Sequence, residues 1–392
     1  MNDKVEVVIT SGYRWNYFQW FLLGFYELQN KNIINLKFRL PFFSYLLTKI
    51  SWDFLINFIK KFQRKFENDS YNMDGYIIYK ENGRTIKKTF TIDSADSPFL
   101  FDQNKLDEVD TYFKMQCPIE LNKSGFRLAD NIVIPWSDHR HVDENLKLTE
   151  RGERRIITEL KKFKIEPLMI GPRQLASGIS YRSLRSGYEN YINDRSINKS
   201  KHIMCYYGNA LGPQVEKAPI PDYDWEGDIM GYYKDASHPN EKRAVVTETV
   251  SKMENCDARI ISRKNADSSI LENKNLIIPL KKFCKHISEF EWNVNVSGYR
   301  MSIPNRFIES FMVGTGIITD KLFVKWYKPF DEEIFETVEM GYLPMEKVNW
   351  KAFKSDLNSL PKFDSQKVIK AFEKKWSPCQ VAKYIITTVK GV

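Results

Sequence analysis

The chain has 392 residues, 42% of them hydrophobic and 14% aromatic, with 59 basic against 50 acidic side chains and a net charge of +9. That apolar content argues against a disordered chain, and the length favours two domains. The positive balance points to anionic partners such as nucleotides, acidic glycans or an anionic membrane face, and is silent on fold. The cysteines, Cys117, Cys205, Cys256, Cys284 and Cys379, are scattered and form no Cys-x-x-Cys pair. That pattern argues against a disulfide framework or zinc site and leads us to expect reduced thiols in a cytoplasmic protein.

Val5 to Ile9 reads as a first strand, with no basic leader and long apolar run before it, so no signal peptide is expected. No stretch reaches the roughly 18 uncharged apolar residues of a membrane span. The nearest, Leu40 to Ile59, contains Lys49 and Asp53. Ser11-Gly12-Tyr13-Arg14 follows as a turn, Asn16 to Gln29 as an aromatic-rich helix and Ile33 to Leu40 as a second strand, the β-loop-α-β opening of a doubly wound sheet. Ser44 to Phe66 reads as one amphipathic helix ending in Lys60, Lys61, Arg64 and Lys65. With Phe42, Phe43, Trp52, Phe54 and Phe58 it forms an aromatic and basic segment suited to peripheral contact with an anionic membrane. Gly75 to Ile92, broken by Glu81-Asn82-Gly83, has the pattern of a β-hairpin, so this half is not a pure βαβ repeat.

Asn131 to Pro135 is a short strand that ends in Trp136-Ser137-Asp138-His139-Arg140-His141. A charged helix (Leu148 to Lys162) and a strand (Ile165 to Ile170) follow. The polar stretch from Arg185 to Lys201 shows no apolar period and is read as the domain boundary. Beyond it the rhythm is regular: strand His202 to Tyr207 ending at Gly208, helix Glu241 to Met253 with Asn240 as N-cap, strand Ala258 to Ser262, helix Leu280 to Phe290, strand Trp292 to Val296, helix Pro304 to Val313 and strand Gly316 to Thr319. Alternating strands and helices predict a parallel sheet covered on both faces. Further helices are expected near Lys347 to Leu357, Ser365 to Trp376 and Gln380 to Val389.

The informative run is Ser297 to Asp320. A strand ends at Gly298, Pro304 suits the first turn of a helix, and Arg306 and Glu309 share a face of its opening turns. The dipole and free N–H groups there favour a diphosphate, which Arg306 can pair with, while Glu309 can accept from ribose hydroxyls. This run resembles the donor-binding segment of GT-B glycosyltransferases, particularly exostosin-like and related polysaccharide enzymes. The resemblance implies two Rossmann-like domains facing across a cleft: residues 1–200 for the acceptor, 201–375 for the nucleotide sugar, and 376–392 as a C-terminal helix returning to the first. It gives Glu309 the ribose and Arg306 a phosphate or structural role, with Arg243, Arg300 and Gly208 on the donor side. Gly12, Tyr13 and Arg14 would face the cleft. Many retaining members carry two glutamates eight apart, but here the positions flanking Glu309 are Met301 and Ile317, which leans away from that subgroup.

An inverting transferase needs a general base, and Asp138 or His139 is the first choice, ahead of Asp93, Asp96 and Asp102. His139-x-His141 has no clear third ligand, and Asp93-Ser94-Ala95-Asp96 has the wrong spacing for a manganese-binding Asp-x-Asp. No metal or cofactor is expected beyond the nucleoside-diphosphate sugar itself. The acceptor would be a glycan or lipid-linked glycan, with the enzyme cytoplasmic or peripheral at the inner face of a membrane. The alternatives are a non-catalytic glycan-binding protein and a basic nucleic-acid-binding protein. The basic residues are spread along the chain and carry no RNA-binding motif, so nucleic acid is not expected as a partner.

Overall fold

The computed structural model describes residues 4–66, 71–95, 100–119, 125–129, 132–135, 137–138, 164–193, 195, 199, 203–210, 239–262, 280–296, 302–320, 322, 324–330, 335–337, 360 and 362–391. The molecule is mixed α/β. In the N-terminal half, β1 (Val5–Ile9), β2 (Ile34–Phe38), β3 (Asn72–Glu81), β4 (Arg84–Asp93), β5 (Thr111–Lys114) and β6 (Lys164–Pro167) form one sheet in the order β6-β5-β4-β3-β1-β2. β3 runs antiparallel to β1 and β4, and the remaining pairs are parallel. The expected hairpin is thus present, closed by Asn82-Gly83 with both residues at positive φ, as a two-residue turn between twisted strands requires.

α1 (Trp15–Asn30) is buried almost all round, Phe18, Phe21, Leu22 and Phe25 being fully inaccessible. Its outer face is covered by the C-terminal helix Pro378–Lys390. Contact is so close that a Cβ on Gly24 would stand 2.1 Å from the Pro378 carbonyl oxygen. The Trp20 indole N–H donates to the Trp376 carbonyl at 3.1 Å, and Tyr384 donates to Glu166 at 2.9 Å. The end of the chain therefore completes the core of its beginning.

Three expectations in this half are corrected. Residues 44–66 are two helices, α2 (Phe42–Lys49) and α3 (Asp53–Phe66), because the backbone turns extended at β-branched Ile50. After α4 (Gln103–Glu108), β5 occupies an interior sheet position that sequence reading missed: four residues, Thr-Tyr-Phe-Lys, are too few to show a period. The stretch read as lacking an apolar period, Arg185 to Lys201, begins inside α5 (Tyr181–Ile192), which buries Leu184, Tyr188 and Tyr191 at helical spacing. Tyrosine served there as an apolar residue, which its polar hydroxyl disguised.

In the C-terminal half, β7 (Met204–Ala210), β8 (Cys256–Ser262), β9 (Trp292–Asn295), β10 (Gly316–Thr319) and β11 (Phe335–Thr337) form an all-parallel sheet in the order β8-β7-β9-β10-β11. α6 (Pro239–Ser251) covers one face, setting Val246 and Val250 against Met204, Tyr206, Trp292 and Val294. α7 (Leu280–Ile287) and α8 (Arg306–Met312) bring Phe283, Ile287, Phe307 and Phe311 into the apolar core shared with α1. α9 (Ser365–Lys375) and α10 (Pro378–Lys390) close the chain. α6 begins at Pro239, so Asn240 lies inside the helix and is not its N-cap. The expected helices 148–162 and 347–357 lie outside the described residues.

One buried amine joins elements here. Lys199 donates to the Phe290 carbonyl at 3.0 Å and to the Thr315 hydroxyl at 2.8 Å, and burial lowers its pKa to about 7. A neutral amine has two hydrogens for these two acceptors. Between pH 7 and the ordinary lysine range the unfolded chain holds a proton that the folded chain has shed. Folding stability contributed by this group therefore rises with pH, by up to about 1.4 kcal/mol per pH unit. Denaturation of wild type and Lys199→Met at several pH values is expected to show the wild type gaining relative to the variant from pH 7 upwards. Parallel pH profiles would show that the amine keeps its charge in the folded state.

Candidate functional site

In a parallel sheet of order 2-1-3-4-5 the connections leave in opposite directions from the first strand, and the crevice beyond the carboxyl ends of β7 and β9 is where such folds take ligands. Arg243 enters this region from α6 and Arg306 from the first residue of α8. Tyr206 of β7, fully buried, interacts electrostatically with both guanidinium groups and with Asp320 at the end of β10. Burial, followed by the repulsion of Arg243 and Arg173, pushes the Arg306 pKa down, against the attraction of Tyr206 and Glu309. Two arginines on separate helices thus act electrostatically on one buried tyrosine.

Gly208 was expected after the strand, but β7 continues to Ala210 and Gly208 pairs with Ile260 inside the ladder. Its value is space: a Cβ there would stand 2.5 Å from the Tyr206 hydroxyl, which lies over it toward the carboxyl end. α8 has only seven residues, so its dipole contributes less than the longer helix expected from the sequence.

Glu309 is completely buried, and both carboxylate oxygens are engaged by one residue. Oε1 accepts from the Arg173 backbone N–H at 3.0 Å and from its Nε at 3.2 Å, and Oε2 accepts from Nη2 at 3.1 Å. Arg173 belongs to the segment after β6 in the N-terminal half, so this pair ties the halves together. Three more contacts follow the same seam. The Gln116 amide donates to the Ile303 carbonyl and accepts from the Ile303 N–H, at 2.9 and 3.0 Å. Asn305 donates to the Gly171 carbonyl at 2.7 Å. Cys117–Pro118 also pairs antiparallel with Val324–Lys325. Neither Arg173 nor Gln116 was found in the sequence, since each acts through a partner more than a hundred residues away.

At the carboxyl end of the N-terminal sheet, Ser11 donates to the Asp74 carboxylate at 2.8 Å, which anchors the Ser11–Arg14 turn. Gly12 is buried, Tyr13 partly buried, and the Arg14 guanidinium lies 3.7 Å over the Tyr71 ring. Next to this turn sits a buried polar cluster. Asp93 accepts from Lys114 and from the Tyr112 hydroxyl, both at 2.6 Å, and from the Ala95 N–H at 2.7 Å. Asp102 caps α4 and accepts from Asn72 at 2.6 Å. Asp93 and Asp102 are therefore committed to internal bonds. Asp138 is placed only by its backbone, in a short parallel ladder of Ser137–Asp138 with Leu100–Phe101. Asp96, His139, His141 and Arg300 lie outside the described residues.

Comparison with known proteins returned no match, either to a protein-family model or to a curated protein. All five thiols are free, and among the described residues no helix is long and apolar enough to cross a membrane.

Proposed function

We propose that the chain transfers a sugar from a nucleoside-diphosphate donor to a glycan or lipid-linked glycan, with the donor diphosphate held by Arg243 and Arg306. What supports this reading is the electrostatic interaction of both arginines with Tyr206, on a strand at the switch point of a parallel sheet. Arg306 is repelled by Arg243 and Arg173, and a diphosphate would relieve that repulsion while accepting charge-assisted hydrogen bonds. Phosphate is also what the carboxyl edge of a doubly wound sheet commonly binds. The reading assigns the GT-B arrangement, with the donor on the C-terminal half and the acceptor facing the Ser11–Arg14 turn.

In the reaction an acceptor hydroxyl attacks the anomeric carbon as the bond from that carbon to the diphosphate oxygen breaks. Arg243 and Arg306 stabilise the charge developing on the leaving group. The hydroxyl proton passes to a base, for which Asp138 and His139 remain the proposed residues. Glu309, saturated by Arg173, is reassigned from the ribose to holding Arg173 and the seam in place.

The test is thermal shift against UDP, GDP, ADP, dTDP and CMP. A nucleotide bound only by the folded state raises the midpoint, by about 2.7 kcal/mol of stability at a hundred times its dissociation constant. One nucleotide diphosphate is expected to do so. Arg306→Ala and Arg243→Ala should each weaken it about 10- to 100-fold, a hydrogen bond to a charged group being worth about 1.5–3 kcal/mol. If no nucleotide shifts the wild type, the reading fails.

A further inference from the structure

We infer that α2 and α3 form a docking face for an anionic lipid surface. α3 carries two apolar stripes. Ile56 and Ile59 point into the protein and are buried, with Gln63 beside them bonded to Ser44 at 2.6 Å. The second stripe is Phe54, Phe58, Phe62 and Phe66, four residues apart, so the rings lie one above the next. These rings face outward, with exposures of 81, 56, 38 and 63%, and Trp52 at 72% and Phe42 at 68% extend the face. Isolated exposed apolar residues are ordinary, but this set is contiguous. Phe58 meets Phe62 at 4.8 Å between ring centroids, and Phe43 stacks on Phe62 and Phe66 at 6.0 and 5.7 Å, joining α2 to α3.

The charge around the stripe selects the occupant. Lys49, Lys61, Arg64 and Lys65 are exposed, and the Lys65 ammonium lies 5.5 Å from the Phe66 ring. Lys60 is different: it turns inward, donates to the Ser177 carbonyl at 2.7 Å, and belongs to the fold. Aromatic rings level with lysines and arginines are the composition of a helix that lies in the interface of an anionic bilayer. A second copy of this chain would set like charges against each other across the face, which disfavours self-association. Docking here would hold the chain at the surface where a lipid-linked acceptor resides, yet it stands independently of sugar transfer.

The experiment is co-sedimentation of the full chain with vesicles of equal parts phosphatidylcholine and phosphatidylglycerol, against vesicles of phosphatidylcholine alone. Binding to the anionic vesicles is expected, falling as salt screens the charges. Phe54→Ser with Phe58→Ser, and separately Lys61→Glu with Lys65→Glu, should each weaken it at least about tenfold. Both pairs are exposed, so melting temperature and nucleotide response should match wild type, which separates failure of docking from failure of the donor site. Equal binding to both vesicle types, or variants that bind as wild type, overturns the proposal. So does a concentration-dependent dimer by light scattering that Phe54→Ser with Phe58→Ser abolishes, because the face would then be a contact between copies.

Discussion

Asp93→Ala is expected to destabilise the fold by about 3–5 kcal/mol, the range for stranding a buried charge. The Lys114 ammonium and Asp93 carboxylate are almost wholly inaccessible and 2.6 Å apart. Removing the carboxylate takes the acceptor 2.6 Å from the Lys114 ammonium and the acceptor of the Tyr112 hydroxyl. Lys114→Met should cost less, about 2 kcal/mol, because Asp93 keeps the Tyr112 and Ala95 donors and a methionine fills the lysine stem's volume. Urea denaturation at neutral pH measures both. A cost below about 1 kcal/mol for Asp93→Ala would mean that water reaches the pair and that its burial has no energetic consequence.

Arg173→Ala should be the more damaging of the two variants across the seam. Glu309 is fully buried whereas the Arg173 side chain is 49% exposed. Loss of the Arg173 guanidinium leaves the buried carboxylate with the backbone N–H of residue 173 as its hydrogen-bond donor and Arg306 as a longer-range cation, at a cost of about 3 kcal/mol. Loss of Glu309 leaves a guanidinium that water can solvate, so Glu309→Ala should cost less, about 1–2 kcal/mol. The double variant should fall short of the sum by about 1–2 kcal/mol, the coupling expected of groups in contact. Additive costs would mean the pair does not hold the halves together. If Glu309→Ala instead keeps wild-type stability and loses nucleotide binding, the ribose role returns to Glu309. This buried pairing is why Arg306, not Glu309, is the cleaner probe of the proposed donor site.

Much of the framework was legible in the chain. Val5 to Ile9, the Gly75 to Ile92 hairpin and the C-terminal strand–helix alternation all follow from local apolar periods and turn residues, which need no knowledge of partners. Errors arose where a residue's local character misreports its environment. Tyr188 and Tyr191 read as polar and are core. Gly208 read as a loop and lies inside β7, beneath a tyrosine ring on its own strand. Lys60 and Lys61 read as one basic cluster, yet one bonds the fold and the other faces outward, because a helix rotates each residue about 100° from the last.

By itself, the sequence determined the α/β class, the parallel C-terminal sheet and the candidacy of Arg243 and Arg306, since each rests on spacing along one segment. Only the tertiary structure decided that both arginines act on Tyr206, that Glu309 belongs to Arg173, and that α10 covers α1. Those pairings join residues tens to hundreds of positions apart, and the free energy that selects them comes from excluding water at contacts that form only when the chain is folded.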